Sequence, residues 1–463
     1  MADSDLSLYA HLMRRAGFGA RRQELEEYAA KGYEDVVEDL LYPERFPDVE
    51  VDLLERFYGT GHQGNSTMWW WRMLNSSRQL EEKMTLLWHH IFATGSSKSG
   101  HAKSSSDQIQ MFRSIALSDF RTLLVEISKD PAMIFWLDNN ENIKDLPNEN
   151  YGRELLELFS MGVGNYTEDD VKASTRAFTG WTHSVPVPGA GSKYGGYSSE
   201  FVFEGDEHDE AEKPFLGEAG RFNGEDIVDV IVRQPATARF LARQLYTYFV
   251  ADEPPVAAWN EFPPENPEAI DILVKVYFES NGDIRSILRV LFNSDFFKAA
   301  RFRRVKSPVE LVLGVMKLVG TYRFPDPGLN SHFNTNSMGQ ALMNPLTVEG
   351  WHTGPEWIDG GTLNERINHA VNELNDATKP GIQFIVDRLA ADGGSIPPEA
   401  FVNGCLDLAG PLVVGKETRD GLLAYAESGG DLDLESPGGH EESSERVLRM
   451  LQLIVSAREY QFG

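Results

Sequence analysis

Apolar and polar positions recur at helical spacing through most of the chain. Leu80, Met84, Leu87, Trp88 and Ile91 share one side of a helix, which turns His89 towards the side carrying Glu82 and Thr85. Pro235 opens another helix, in which Leu241, Leu245, Tyr248 and Phe249 repeat until Pro254-Pro255 ends it. Two starts carry their own mechanism. Ser307-Pro308-Val309-Glu310 sets an N-cap serine, a first-turn proline and a reciprocal glutamate ahead of Leu311-Val312-Leu313. Thr167 with Asp170 does the same for the run through Phe178, and Gly180 offers a stop.

Between His183 and Gly220 the texture changes to glycine, serine, proline and aromatics, with Phe201-Val202-Phe203 as the expected strand. Asn260–Pro267 and Tyr322–Asn336 read as loops. After about Asn375 a smaller helical unit follows, with a Gly/Ser-rich acidic stretch, Ser428–Ser444, before a closing helix Glu445–Tyr460. The expected fold is therefore mainly α: a multi-helical globular array with a small β-hairpin insertion around 183–220. Its expected division is a main helical domain, 1–375, with a smaller C-terminal unit, 376–463, packed on it.

Composition narrows the function classes. Hydrophobic residues make up 41% of 463, enough for a substantial core. The single Cys405 excludes an intramolecular disulfide framework and a thiolate zinc cluster, since both need several cysteines. Acidic residues outnumber basic ones 71 to 43, a net charge of −28, which disfavours nucleic acid as a partner and favours a well-solvated surface. Met1–Ala20 lacks the basic, apolar and small-residue succession of a secretory signal, and no apolar run is long enough for a bilayer. A cytoplasmic address is expected, with export alongside a partner as the alternative.

The segment Asn148-Glu149-Asn150-Tyr151-Gly152-Arg153-Glu154-Leu155-Leu156-Glu157-Leu158-Phe159-Ser160-Met161-Gly162 holds the most chemistry. As a helix it places Asn150, Arg153, Glu154 and Glu157 on one face and Tyr151, Leu155, Leu158 and Phe159 on the other. Glu149 can pair with Arg153, and Arg153 with Glu157, so a solvated, ion-paired face is the competing explanation.

Here the chain resembles the bacterial domain-of-unknown-function family number 1800. The likeness rests on His11-Leu12-Met13-Arg14-Arg15-Ala16-Gly17-Phe18-Gly19, Trp88-His89-His90-Ile91-Phe92-Ala93, the Asn148–Gly162 segment, and Phe178-Thr179-Gly180-Trp181. It continues through His208-Asp209 with Lys213, Gln234-Pro235-Ala236-Thr237-Ala238-Arg239-Phe240, Lys306-Ser307-Pro308, and Asn344-Pro345 with Gly350-Trp351. The resemblance implies no established activity. It implies frequent export, and a neighbouring partner from family number 1501, which resembles phosphatases and sulfatases. Members commonly carry a second histidine where this chain has Ile91, so chemistry needing that histidine is not expected.

Two chemistries compete with a non-catalytic scaffold that binds such a partner. In the first, a hydrolase-like site for a polar or sugar-like substrate, Glu154 and Glu157 divide acid and base work while Arg153 and Lys213 stabilise negative charge. In the second, His89, Glu154, Glu157, His208 and Asp209 hold a divalent metal that activates water. Both require the Asn148–Gly162 helix to face a pocket shared with His89 and the His208 loop. His90 ranks below His89 by the same reasoning. Asn150, Trp181, Trp351 and His352 are the expected substrate contacts, because tryptophans beside glycines can stack on sugar rings. Gly17-Phe18-Gly19 is not a nucleotide fingerprint, lacking a third glycine and a preceding strand.

Overall fold

The computed structural model describes every residue except 1–4, 60, 100, 185–197, 326–330, 392, 394 and 435–436. It is mainly α-helical, and the described residues add three two-stranded antiparallel sheets. The foreseen starts are present. Ser307 and Glu310 close a reciprocal capping box on the helix Pro308–Val319, and Thr167 and Asp170 close one on Glu168–Ala177. The Pro235–Phe249 helix has its proline in the first turn.

Phe201–Phe203 pairs with Trp181–His183, Trp181 opposite Phe203, so the insertion holds the expected hairpin; its residues 185–197 lie outside the described ones. A second hairpin, Lys213–Phe215 with Glu218–Gly220, turns through Leu216 and Gly217, both at positive φ as a tight hairpin demands. The third pair, Ser395–Ile396 with Leu432–Asp433, was not foreseen.

Three expectations are corrected. The Asn148–Gly162 segment is helical only over Asn150–Glu157, and its end turns through Gly162 at φ +79°. The end of the Tyr322–Asn336 loop is instead part of a short helix, Ser331–Ser337. The closing helix runs Pro437–Ser456, beginning inside the Gly/Ser-rich stretch. Its serines find partners: Ser444 donates to the His440 carbonyl at 2.8 Å and Ser443 to that of Asp433 at 2.9 Å.

One hydrophobic core runs from Tyr9 to Tyr460, crossing position 375 without a break. The Pro380–Ala390 helix meets the end of Pro308–Val319 so closely that a Cβ on Gly381 would lie 1.8 Å from the Leu318 carbonyl oxygen. At the centre, the helix Gln79–Ile91 is buried on nearly every side, so its polar residues must find buried partners. Glu82 accepts from Arg72 at 2.9 Å, Arg113 at 2.8 Å and the Trp69 indole at 3.1 Å. Lys83 pairs with Glu310, which also binds Arg304 at 3.0 Å and Arg15 at 3.4 Å.

Candidate functional site

A cleft of about 350 Å³ opens beside the last turn of the Gln79–Ile91 helix. The Pro235–Phe249 helix supplies Gln244 and Tyr248 to its wall, the following loop Asp252, and the approach to the Pro308 helix Arg304. The loop 346–357 closes it with Glu349, Trp351, His352 and Trp357.

That loop is pinned on His90. Gly350, at φ +92°, lets the backbone cross the imidazole, and the Trp351 amide donates to His90 Nδ1 at 3.2 Å. The Trp351 ring lies parallel to the imidazole, 3° between planes, and its indole N–H donates to the Ala341 carbonyl at 3.0 Å. Burial, helped by the nearby Arg304 charge, pulls the His90 pKa down to about 4. The ring is therefore neutral at pH 7. With Nδ1 accepting, its proton resides on Nε2.

Asp252 accepts from the Val305 amide at 2.8 Å and lies 3.7 Å from Arg304 Nε. Burial outweighs these partners and raises its pKa above the ordinary carboxylate value. The loop carrying Asp252 is fixed by Glu253, which binds Arg243 at 2.6 Å, while Arg243 stacks on Trp259.

The Asn150–Glu157 helix reaches this cleft through the residue after its last turn, and its polar side chains are not part of the wall. Leu158, just beyond that helix, is part of the wall. Glu154 is partly buried, and burial together with the Glu157 and Glu349 charges raises its pKa to about 7. Glu157 accepts from the Tyr166 hydroxyl at 2.6 Å. Arg153 pairs with Glu149 as foreseen, at 3.3 Å, but its second partner is Glu168 of the next helix at 2.7 Å instead of Glu157. Asn150 is exposed.

The single shared pocket expected from the sequence is not formed. His208, Asp209 and Lys213 make a separate cluster: His208 Nδ1 lies 2.9 Å from the Thr179 carbonyl, and Asp209 binds Arg176 at 2.6 Å. Asp209 also accepts from the Ala211 amide at 2.8 Å, capping its own turn, and Lys213 donates to the Asp209 and Ala211 carbonyls. No hydrogen bond or ion pair among the described residues joins this cluster to Glu154 or Glu157.

His89 is packed edge-on against Trp69 and Trp351, with ring centroids at 5.7 and 5.3 Å, and burial pulls its pKa down to about 3. Neither ring nitrogen is in hydrogen-bond geometry with a partner, although Gln108 lies close enough to oppose part of the burial effect. Trp181 is a core residue, packed on Phe178 and Phe201 with its indole donating to Asn223 at 2.8 Å. Of the expected substrate contacts, Trp351 and His352 line the cleft; His352 sits 3.5 Å from Glu356. The five residues considered for a metal are not gathered, and no group of three or more His, Cys, Asp or Glu among the described residues is placed to hold one.

His90, Asp252 and Arg304 come from distant parts of the sequence, and only His90 carried a signal, beside the ranked His89. The aromatic-walled cleft thus holds the Gly350-Trp351 turn, while Glu154 lies outside its wall and is linked to it by the charge of Glu349. The chain belongs to the family described as protein of unknown function (DUF1800), whose model matches residues 11–462. No curated protein and no solved structure matches it. No helix among the described residues is long and apolar enough to cross a membrane.

Proposed function

We propose that this chain is a hydrolase-like enzyme acting on a polar, sugar-like substrate bound in the cleft beside Trp351. The observation that carries the reading is Glu154. Its carboxyl has a pKa of about 7, precedes the wall residue Leu158 by one turn, and feels the charge of Glu349 in the facing loop. Such a group holds a proton at neutral pH and can release it to a leaving oxygen. The neutral His90 offers an Nε2–H donor, Asp252 an acceptor, and Arg304 a fixed positive charge beside them. Trp351 and Trp357 supply the apolar wall for a ring face.

The test is an activity screen on glycosides and on phosphate and sulfate esters, followed by Glu154→Gln and Trp351→Ala. Glu154→Gln lowers kcat by about 100-fold or more and removes a limb near neutrality from the pH profile. A turnover unchanged by both substitutions overturns the reading. The scaffold alternative, binding a phosphatase- or sulfatase-like partner of family number 1501, draws support from Leu346, which is 69% exposed at the cleft wall. Nucleic acid fits neither reading, because a net charge of −28 repels a phosphate backbone.

A further inference from the structure

A second cavity, of about 340 Å³, lies between the end of the Leu6–Ala16 helix and the helices Pro308–Val319 and Pro380–Ala390. In a chain with net charge −28, its walls carry Arg14, Arg21, Arg22, Lys306, Lys317 and Arg323 against only Glu310 and Asp387. Glu310 is already committed to Arg15, Lys83 and Arg304. Arg21 is paired with Glu24, and Arg22 with Glu26 and Asp407. Arg14, Lys306, Lys317 and Arg323 form no ion pair among the described residues.

The buried Lys306 and the half-buried Arg14 and Lys317 are poorly served. Arg14 donates from Nη1 to the Gly410 carbonyl at 2.8 Å, while its Nε and Nη2 are buried with no acceptor. Lys306 has only the Tyr460 carbonyl, at 2.7 Å, and the face of the Tyr460 ring. Lys317 has the Gly19 carbonyl at 3.0 Å and the Gln79 amide oxygen at 2.6 Å. Burial and mutual repulsion push Lys306 well below its ordinary pKa, and burial brings Lys317 to about 8. The Glu24 and Glu310 charges offset this only in part; cations that outnumber carboxylates in a low-dielectric pocket are unfavourable, and an anion between them relieves both desolvation and repulsion. Two sequence landmarks, His11–Gly19 and Lys306-Ser307-Pro308, meet here.

We propose that this cavity is a binding site for a small, multiply charged oxyanion of the phosphate-ester class, separate from the cleft beside Trp351. Donors approach from the first helix, the Lys306 segment, the Pro308 helix and the loop at Arg323, an arrangement suited to a tetrahedral group with several charged oxygens.

Titration calorimetry of the full chain with inorganic phosphate and with pyrophosphate, at constant ionic strength, tests this, with citrate as the polycarboxylate control. Millimolar or tighter binding of phosphate or pyrophosphate is expected, weakened about tenfold by Arg14→Gln. Because Arg14 is half-buried and bonded to Gly410, the exposed Arg323→Gln provides the second variant; it weakens binding at unchanged melting temperature. Binding that neither variant alters, binding of citrate alone, or no heat from any of the three anions overturns the proposal.

Discussion

Gly350 lies directly against His90: a Cβ built on it would stand 2.4 Å from the His90 carbonyl oxygen and 2.6 Å from Nδ1. The left-handed φ of +92° and this contact both demand glycine, and together they bring the Trp351 amide onto the imidazole. Gly350→Ala is expected to cost about 3 kcal/mol and to pull Trp351 off His90. Urea denaturation reads the first effect and tryptophan fluorescence the second.

Glu310 is the shared acceptor of Arg15, Lys83 and Arg304, and is itself nearly inaccessible. Glu310→Gln strands three buried cations, for an expected loss of about 3–5 kcal/mol in chemical denaturation. In the Lys83→Met background the same substitution costs less, because one stranded charge is already gone.

Stability should also respond to pH through Glu154. Its pKa is raised from 4.5 to about 7 on folding, so between those values the folded state keeps a proton that the unfolded chain has lost. This contribution is therefore neutral in acid, falls as pH rises through the window, and is fully unfavourable above it. Glu154→Gln, which carries no charge, gains roughly 1 kcal/mol over the parent at mildly alkaline pH after allowance for solvent screening, and nothing in acid. Thermal melts across pH check both limbs; an equal offset at every pH contradicts the assignment.

His89 offers a contrast with His90. It is neutral and enclosed by aromatic rings, and its polar neighbour Gln108 is not in good hydrogen-bond geometry with it. His89→Leu should cost less than about 1.5 kcal/mol, as a volume-conserving core exchange. Any activity should survive, whereas His90→Leu removes a cleft donor and abolishes the Trp351 amide bond. Parallel melts and assays of the two variants separate these outcomes.

The helical architecture was legible because capping is local: Ser307 with Glu310 and Thr167 with Asp170 each act within a single turn. The hairpin at Phe201 was legible from alternation and flanking turn residues, while the pairing of Ser395–Ile396 with Leu432–Asp433 joins short strands that leave no pattern. His89 misled because helical periodicity finds one apolar stripe, and the Gln79–Ile91 helix is enclosed on the other sides by Trp69, Phe112 and Trp351. At the site, Glu154, Trp351 and His352 were visible as motif residues. Asp252 and Arg304 were not, since a side chain brought to a cleft by long-range packing looks like any surface charge in one dimension. His208 and Asp209 suggested chemistry through residue type, yet His208 Nδ1 is spent on Thr179 and the Asp209 carboxylate on Arg176 and its own turn.

The seam at Gly381 has a bearing on how this chain can change over time. With no room even for a methyl group beside the Leu318 carbonyl, neither side of the junction tolerates drift independently of the other. The segment after 375 is thus poorly suited to be traded as a detachable module, and substitutions along the Pro308 helix should be accompanied by compensating ones on the helix that begins at Pro380.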